Sequence, residues 1–149
     1  MAALLQTDGG VAALIIRVTL GVAMFAHGSM MALGWFGGPG LMAAARQLRE
    51  QAGVPVAAGA FFTLVELFGA IALIVGLLAR PAALGIAVVM IGATRIHLRD
   101  GFFMNWFGQK SGEGYEYSLL ALAMALSVIF TGAGALSIDG LLARALLGR

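Results

Sequence analysis

Residues 55–78 read PVAAGAFFTLVELFGAIALIVGLL and contain a single charged side chain, Glu66. Roughly 20 residues of α-helix, rising about 1.5 Å each, cross a hydrocarbon core of about 30 Å. The stretch is therefore long and apolar enough to cross a bilayer, where a helix satisfies its own backbone hydrogen bonds. This segment decides the fold class, and we predict an all-α integral membrane protein.

The composition of the whole chain supports the same class. Of 149 residues, 61% are hydrophobic and 11% are charged, whereas a soluble domain has about 45–50% apolar and about 25% charged residues. Seven acidic and nine basic residues are too few to cover a soluble surface, and a net charge of +2 excludes a nucleic-acid-binding protein. The absence of cysteine excludes a disulfide relay, a thiolate nucleophile and an iron–sulfur cluster. We assign no metal ligands.

Three further apolar segments extend the pattern to four spans. They are predicted at about 11–32, 55–78, 82–98 and 115–136. Glycines inside the spans allow close helix approach, so we expect a four-helix bundle that forms one domain over residues 1–149. No basic residue precedes the first apolar run, so we expect no cleaved signal peptide.

The connections between the spans differ in length. A tight turn around Arg80 joins the second and third spans, whereas residues 35–54 and 99–114 form long connections that emerge on one face. We call this end the long-connection face. Aromatic residues concentrate there, as an interfacial belt or as a cover over a pocket. They are Trp35, Phe36, Phe102, Phe103, Trp106, Phe107, Tyr115 and Tyr117.

One or two short interfacial helices are expected outside the spans. LMAAARQLREQ at 41–51 predicts one whose polar face holds Arg46, Arg49 and Glu50. Its lipid-facing residues are Leu41, Ala45 and Leu48. SIDGLLARALLGR predicts a second at the C-terminus, with Ser137 as its N-cap.

Polar residues inside the spans are costly in lipid, so each needs a partner or a function. Glu66 lies near the middle of the second span, and Gly69 and Ala70 leave space beside it, which favours a functional role. His27 lies in the first span, nearer the long-connection face. Taken alone, His27 is better explained by a hydrogen bond to a neighbouring carbonyl.

Charged residues also occur where the third and fourth spans meet the long-connection face. Arg95 and His97 are two residues apart on a helix, so we expect at most one of them to face the interior squarely. The other then extends toward the interface. Glu116 opens the fourth span, where the helix dipole favours a negative charge.

Two contacts are predicted from the depth of these residues. Near the opposite face, we expect Arg17 to pair with Asp139. Nearer the long-connection face, we expect His27 and Glu66 to face one another in a pocket. The remaining residues of this pocket are Arg95 or His97 as its wall and Trp106 or Tyr115 over its mouth.

Several motifs in chain order resemble the DoxX family of membrane proteins. They are LIIRVTLGVAMFAHGSMMALGWFGG from residue 14, VELFGAIALIVGLLAR from residue 65, IHLRDGFFMNWFGQKSGEGYEYSLL from residue 96, and GAGALSID from residue 132. The resemblance covers essentially the whole chain. Two positions differ, since relatives commonly have Lys at the position of Met31 and many have His at that of Ser118.

The resemblance implies a four-helix membrane protein linked to redox chemistry, because the family includes the small subunit of a thiosulfate:quinone oxidoreductase. We therefore expect a quinone-interacting redox protein or subunit in the bacterial plasma membrane, coupling the oxidation of a partner to the quinone pool. A partner subunit or a homo-oligomer is expected within the lipid bilayer. The alternative is a non-catalytic membrane anchor or assembly factor for a redox complex.

The expected quinone site draws on the polar residues described above. His27 and Glu66 are assigned as catalytic, with His27 donating to a quinone oxygen and Glu66 relaying protons. Residues expected to bind the cofactor are His27, Arg95, His97, Trp106, Tyr115 and Glu116. A b-type haem between His27 and His97 is a third hypothesis, disfavoured because no local haem-packing motif is present.

Overall fold

The computed structural model describes residues 10–110 and 112–147, where all regular structure is helical, which confirms the predicted all-α class. Residues 1–9, the segment expected to lack a signal peptide, lie outside the described part. The helices in chain order are α1 (Val11–Leu33), α2 (Leu41–Ala52), α3 (Val56–Val75), α4 (Ala79–His97), α5 (Glu116–Thr131) and α6 (Ile138–Leu147).

The four longest apolar segments contact one another in a closed cycle. Helix α1 packs on α3, α3 on α4, α4 on α5, and α5 on α1. Within the described residues, α1, α3 and α4 are long and apolar enough to cross a membrane, whereas α5 has 16 residues. A crossing by α5 therefore stays a prediction. The fully buried side chains at the centre of the cycle include Leu20, Met24, Leu73, Ile86 and Val128.

Helix α2 packs against α3 beside a cavity, which corrects the predicted lipid-facing orientation of two residues, because Leu48 lines that cavity. Ala45 is fully buried rather than lipid-facing. A Cβ placed on Gly59 of α3 would stand 3.2 Å from the Cα of Ala45, so small residues on both sides bring the two backbones together. Arg46, Arg49 and Glu50 are exposed, as expected for the polar face.

Helix α4 begins earlier than the predicted start near residue 82. The Asp139 carboxylate accepts hydrogen bonds from the backbone N–H groups of Leu78, at 2.8 Å, and Ala79, at 2.9 Å. These bonds satisfy amides that a helix start leaves without partners, so the helix extends back to Ala79. Pro81 is compatible with this start because the first turn of a helix needs no N–H from that residue.

Helix α5 ends at Thr131, so the predicted span to residue 136 was too long. The chain reverses through Gly132 and Gly134, with φ of 81° and 70°, in the left-handed region that glycine adopts at little cost. Ser137 then caps α6, because its Oγ accepts a hydrogen bond of 3.1 Å from the N–H of Gly140. The predicted role of Ser137 is confirmed.

The fully buried guanidinium of Arg17 joins α1 to two other parts of the chain. It donates hydrogen bonds to the carbonyl oxygens of Leu73, Ile74, Ala133, Ala135 and Leu136. The first two lie in the last turn of α3, and the other three lie in the bend after α5. Arg17 thus binds carbonyl oxygens at a helix end and in a non-helical bend, where i to i−4 backbone hydrogen bonds do not continue.

The predicted direct pairing of Arg17 with Asp139 was wrong. Across residues 10–110 and 112–147, the ion pairs join His27 to Glu66 and His97 to Asp100. Asp139 is occupied by the amides at the start of α4, while Arg17 is occupied by carbonyls. Both still join the C-terminal segment to the bundle, and the two charges attract one another at longer range.

Replacing Arg17 with leucine is expected to destabilise the fold, because several buried carbonyl oxygens lose their donor. We expect a loss of about 3–5 kcal/mol and a melting temperature in detergent roughly 10 °C lower. Arg144→Leu, at an exposed position of α6, is the matched control and should melt like the parent protein. Equal melting of the Arg17→Leu protein and the parent would contradict this structural role.

Candidate functional site

The close approach of α1 and α3 creates the site. A Cβ added to Gly28 would stand 3.0 Å from both the Cα and the backbone nitrogen of Leu67, so only a glycine allows this separation. The residues immediately before these two, His27 and Glu66, are consequently brought face to face. The site therefore forms because α1 has a small residue, Gly28, opposite the backbone of α3.

His27 and Glu66 form a hydrogen-bonded pair, with 2.7 Å between Nδ1 and Oε1. The Glu66 side chain is 6% exposed, and the His27 side chain is 42% exposed. The carboxylate that accepts from Nδ1 fixes the plane of the imidazole and keeps a proton on that nitrogen. Within the described residues Nε2 has no partner, so it is available to a ligand. The expected contact between the two residues is present.

A cavity of about 1020 Å³ lies against this pair. Helices α1, α2, α3 and α4 all contribute to its walls, which are largely apolar. Away from the pair, its uncharged polar residues are Gln47, Gln51 and Thr63. Its apolar residues include Met30, Met31, Leu48, Phe62, Val88, Val89, Met90, Ile91 and Ile96. A half-exposed imidazole hydrogen-bonded to a buried carboxylate, beside an apolar cavity, is an arrangement that can hold a ring with polar oxygens.

Both Arg95 and His97 line this cavity, although helix geometry predicted only one of them there. The physical reason is that α4 ends at His97 and continues as a turn of 3-10 helix over Leu98–Asp100. The rim is thus made by a helix end, where side chains on both sides reach the opening. His97 is held by Asp100, with 3.1 Å between Nδ1 and Oδ2.

The structure does not bring Trp106, Tyr115 and Glu116 to the cavity. The Glu116 carboxylate accepts hydrogen bonds from the N–H of Met104, at 3.2 Å, and from Nε1 of Trp106, at 3.3 Å. The Tyr115 ring meets the ring of Phe102 edge-on, with centroids 5.4 Å apart. These residues instead fold the connection between α4 and α5 onto the start of α5.

Sequence reasoning missed the contribution of α2 to the site. Gln47 and Gln51 are one helical turn apart and line the cavity together. An amphipathic pattern places such residues on a polar face but does not show which neighbour that face approaches. Thr63 could have been identified as a site residue from the sequence, because it lies three residues before Glu66 on the same face of an apolar helix.

Comparison with known proteins gives a match to one family model and to no individual protein. No curated protein and no solved structure matches the chain. The DoxX family model matches residues 12–106, which is more than half of the chain and includes every residue that lines the cavity. With three apolar helices long enough to cross a bilayer, the chain is a multi-pass membrane protein, and it belongs to the DoxX family.

Proposed function

We propose that the protein is a quinone-interacting redox protein or subunit of the bacterial plasma membrane. The observation that carries this proposal is the hydrogen-bonded pair of His27 and Glu66 on the wall of a largely apolar cavity. The pair supplies a polar group for a quinone oxygen, and the apolar walls suit the rest of the molecule. The quinone is the expected cofactor, and its electron donor is a redox carrier of a partner subunit.

The residues of the pair have different roles in this proposal. A quinone that is reduced to a quinol takes up two electrons from the partner's carrier and two protons. When both imidazole nitrogens are protonated, His27 donates from Nε2 to a quinone oxygen while Nδ1 donates to the Glu66 carboxylate. His27 then gives its Nε2 proton to that oxygen, the almost fully buried Glu66 carboxylate stabilises the imidazolium that gives it, and water supplies the second proton.

The proposal includes a fourth membrane crossing by α5. At about 1.5 Å per residue, its 16 residues span about 24 Å, which is less than the hydrocarbon thickness of about 30 Å. The bend that follows α5 extends the segment, and Arg17 binds three of its carbonyl oxygens. Irregular backbone within a bilayer requires such internal partners. We therefore propose a four-helix bundle.

The exposed aromatic residues of the connection after α4 favour a second candidate, a membrane anchor or assembly factor. Trp106 is 74% exposed and Phe107 is 86% exposed, and Phe103 also faces outward. Large aromatic side chains at the surface are typical of protein interfaces and of the membrane boundary. This candidate needs no quinone, so ligand binding separates it from the first.

Replacing His27 with alanine is expected to weaken quinone binding about 10- to 100-fold, because a hydrogen bond in a dry site is lost. The measurement is a titration of a short-chain quinone into purified protein. His27→Gln, which retains an N–H donor, should recover part of the affinity. Unchanged affinity in the alanine variant would remove His27 from the proposed site.

Replacing Glu66 with glutamine is expected to preserve binding and slow quinone reduction about 100-fold, because a neutral amide does not stabilise the imidazolium that gives the proton. The measurement is the rate at which dithionite reduces the bound quinone, followed at its ultraviolet band. Glu113→Gln, which changes an exposed carboxylate between α4 and α5, is the matched control. An unchanged rate for Glu66→Gln, together with unchanged affinity for His27→Ala, would favour the anchor.

A further inference from the structure

The cavity beside His27 and Glu66 continues onto the outer surface of the bundle. Met90, which is buried in the core, lines it together with Val88 and Ile91. The latter two belong to the outward face of α4 and are 48% and 54% exposed. A single cavity that includes inward-facing and outward-facing residues of one helix must open alongside that helix.

The opening lies at the depth of the polar pair rather than at the membrane surface. Glu66 is ten residues from the start of α3, and Val88 and Gly92 are nine and five residues from the end of α4. At about 1.5 Å per residue, Glu66 lies about 15 Å from the long-connection face, and the opening extends from about 8 Å to about 14 Å. Because α4 is one of the helices long enough to cross a bilayer, its outward face at this depth contacts hydrocarbon.

The stretch of α4 at the opening is apolar, and Arg95 and His97 line the cavity nearer the end of that helix. The polar pair lies on α1 and α3, whereas Val88, Ile91 and Gly92 form the wall at the opening. Met31 of α1 adds a further apolar side chain to the interior. A ligand that matches this distribution has a polar ring at one end and a long apolar chain at the other.

We propose that the cavity opens sideways into the hydrocarbon of the bilayer at Val88, Ile91 and Gly92, and that a quinone's long apolar tail leaves through this opening. This inference rests on the proposed function, which places the quinone ring at His27 and Glu66. It adds a direction of access and a substrate class, namely quinones that carry a tail and reach the site from the membrane. Water-soluble quinones lack the part that the opening binds.

Gly92 offers a direct test of this opening. A Cβ added to Gly92 would meet no other atom within 4 Å, so a larger side chain fills open space without a clash. Leucine is also a better helix former than glycine, so Gly92→Leu should melt no lower than the parent protein. The matched control is Ala123→Leu, which adds an apolar side chain at an exposed position of α5 outside the cavity.

The experiment compares two quinones with one ring, one bearing a decyl tail and one without a tail. Each is titrated into the parent protein, Gly92→Leu and Ala123→Leu in lipid nanodiscs. Comparing variants with the same quinone cancels its partition between water and lipid. We expect Gly92→Leu to weaken binding of the tailed quinone roughly tenfold, to leave the tailless ring unchanged, and Ala123→Leu to change neither.

The outcomes separate this inference from the proposed function. If the parent binds neither quinone, the proposed function is overturned together with the inference. If the parent binds both and Gly92→Leu weakens neither, or weakens both equally, the sideways opening is overturned while the quinone site stands. If Gly92→Leu fails to fold, Val88→Phe narrows the same opening from an exposed position and is judged by the same criterion.

Discussion

The buried guanidinium of Arg17 is the interaction on which the arrangement of the helices depends. A charge inside an apolar bundle is tolerated only when all its donors find partners, and Arg17 finds carbonyl oxygens in two separate segments. These segments are the end of α3 and the bend after α5, so one side chain of α1 fixes both neighbours. Gly76 allows this crowding, because a Cβ there would stand 2.8 Å from Nη1 of Arg17.

The position of the site follows from the end of the bundle at which Arg17 joins α1 to its two neighbours. Once α1 and α3 are joined at Arg17, the glycines farther along α1 determine how closely the two helices run. Gly21 and Gly28 both face the backbone of α3, and their contacts maintain the approach from Arg17 to His27. The hydrogen bond between His27 and Glu66 is therefore the last contact in a continuous line of packing. A larger residue at Gly28 would press on the backbone of Glu66 and Leu67 and so separate the pair.

Apolar length predicted α1, α3 and α4 closely, because bilayer thickness imposes a minimum on any crossing helix. It failed at the end of α5, where residues 132–136 are apolar but reverse direction through Gly132 and Gly134 and direct carbonyl oxygens at Arg17. Counting depth along antiparallel helices predicted the contact of His27 with Glu66. It did not predict that Gln47 lines the cavity or that Trp106 lies outside it. The packing of the connections depends on tertiary contacts that sequence periodicity does not encode.

The two ends of the bundle differ because their polar groups are satisfied in different ways. At the end that holds Arg17, backbone carbonyls and amides are bound by Arg17, Ser137 and Asp139, which leaves the segments closely packed. At the other end, Glu66 takes one nitrogen of His27, and α2 packs on α3 beside a cavity. Polar groups that bind one another rigidify the first end. The second end keeps one imidazole nitrogen and an apolar space without a protein partner among the described residues, which is the condition for binding a ligand there.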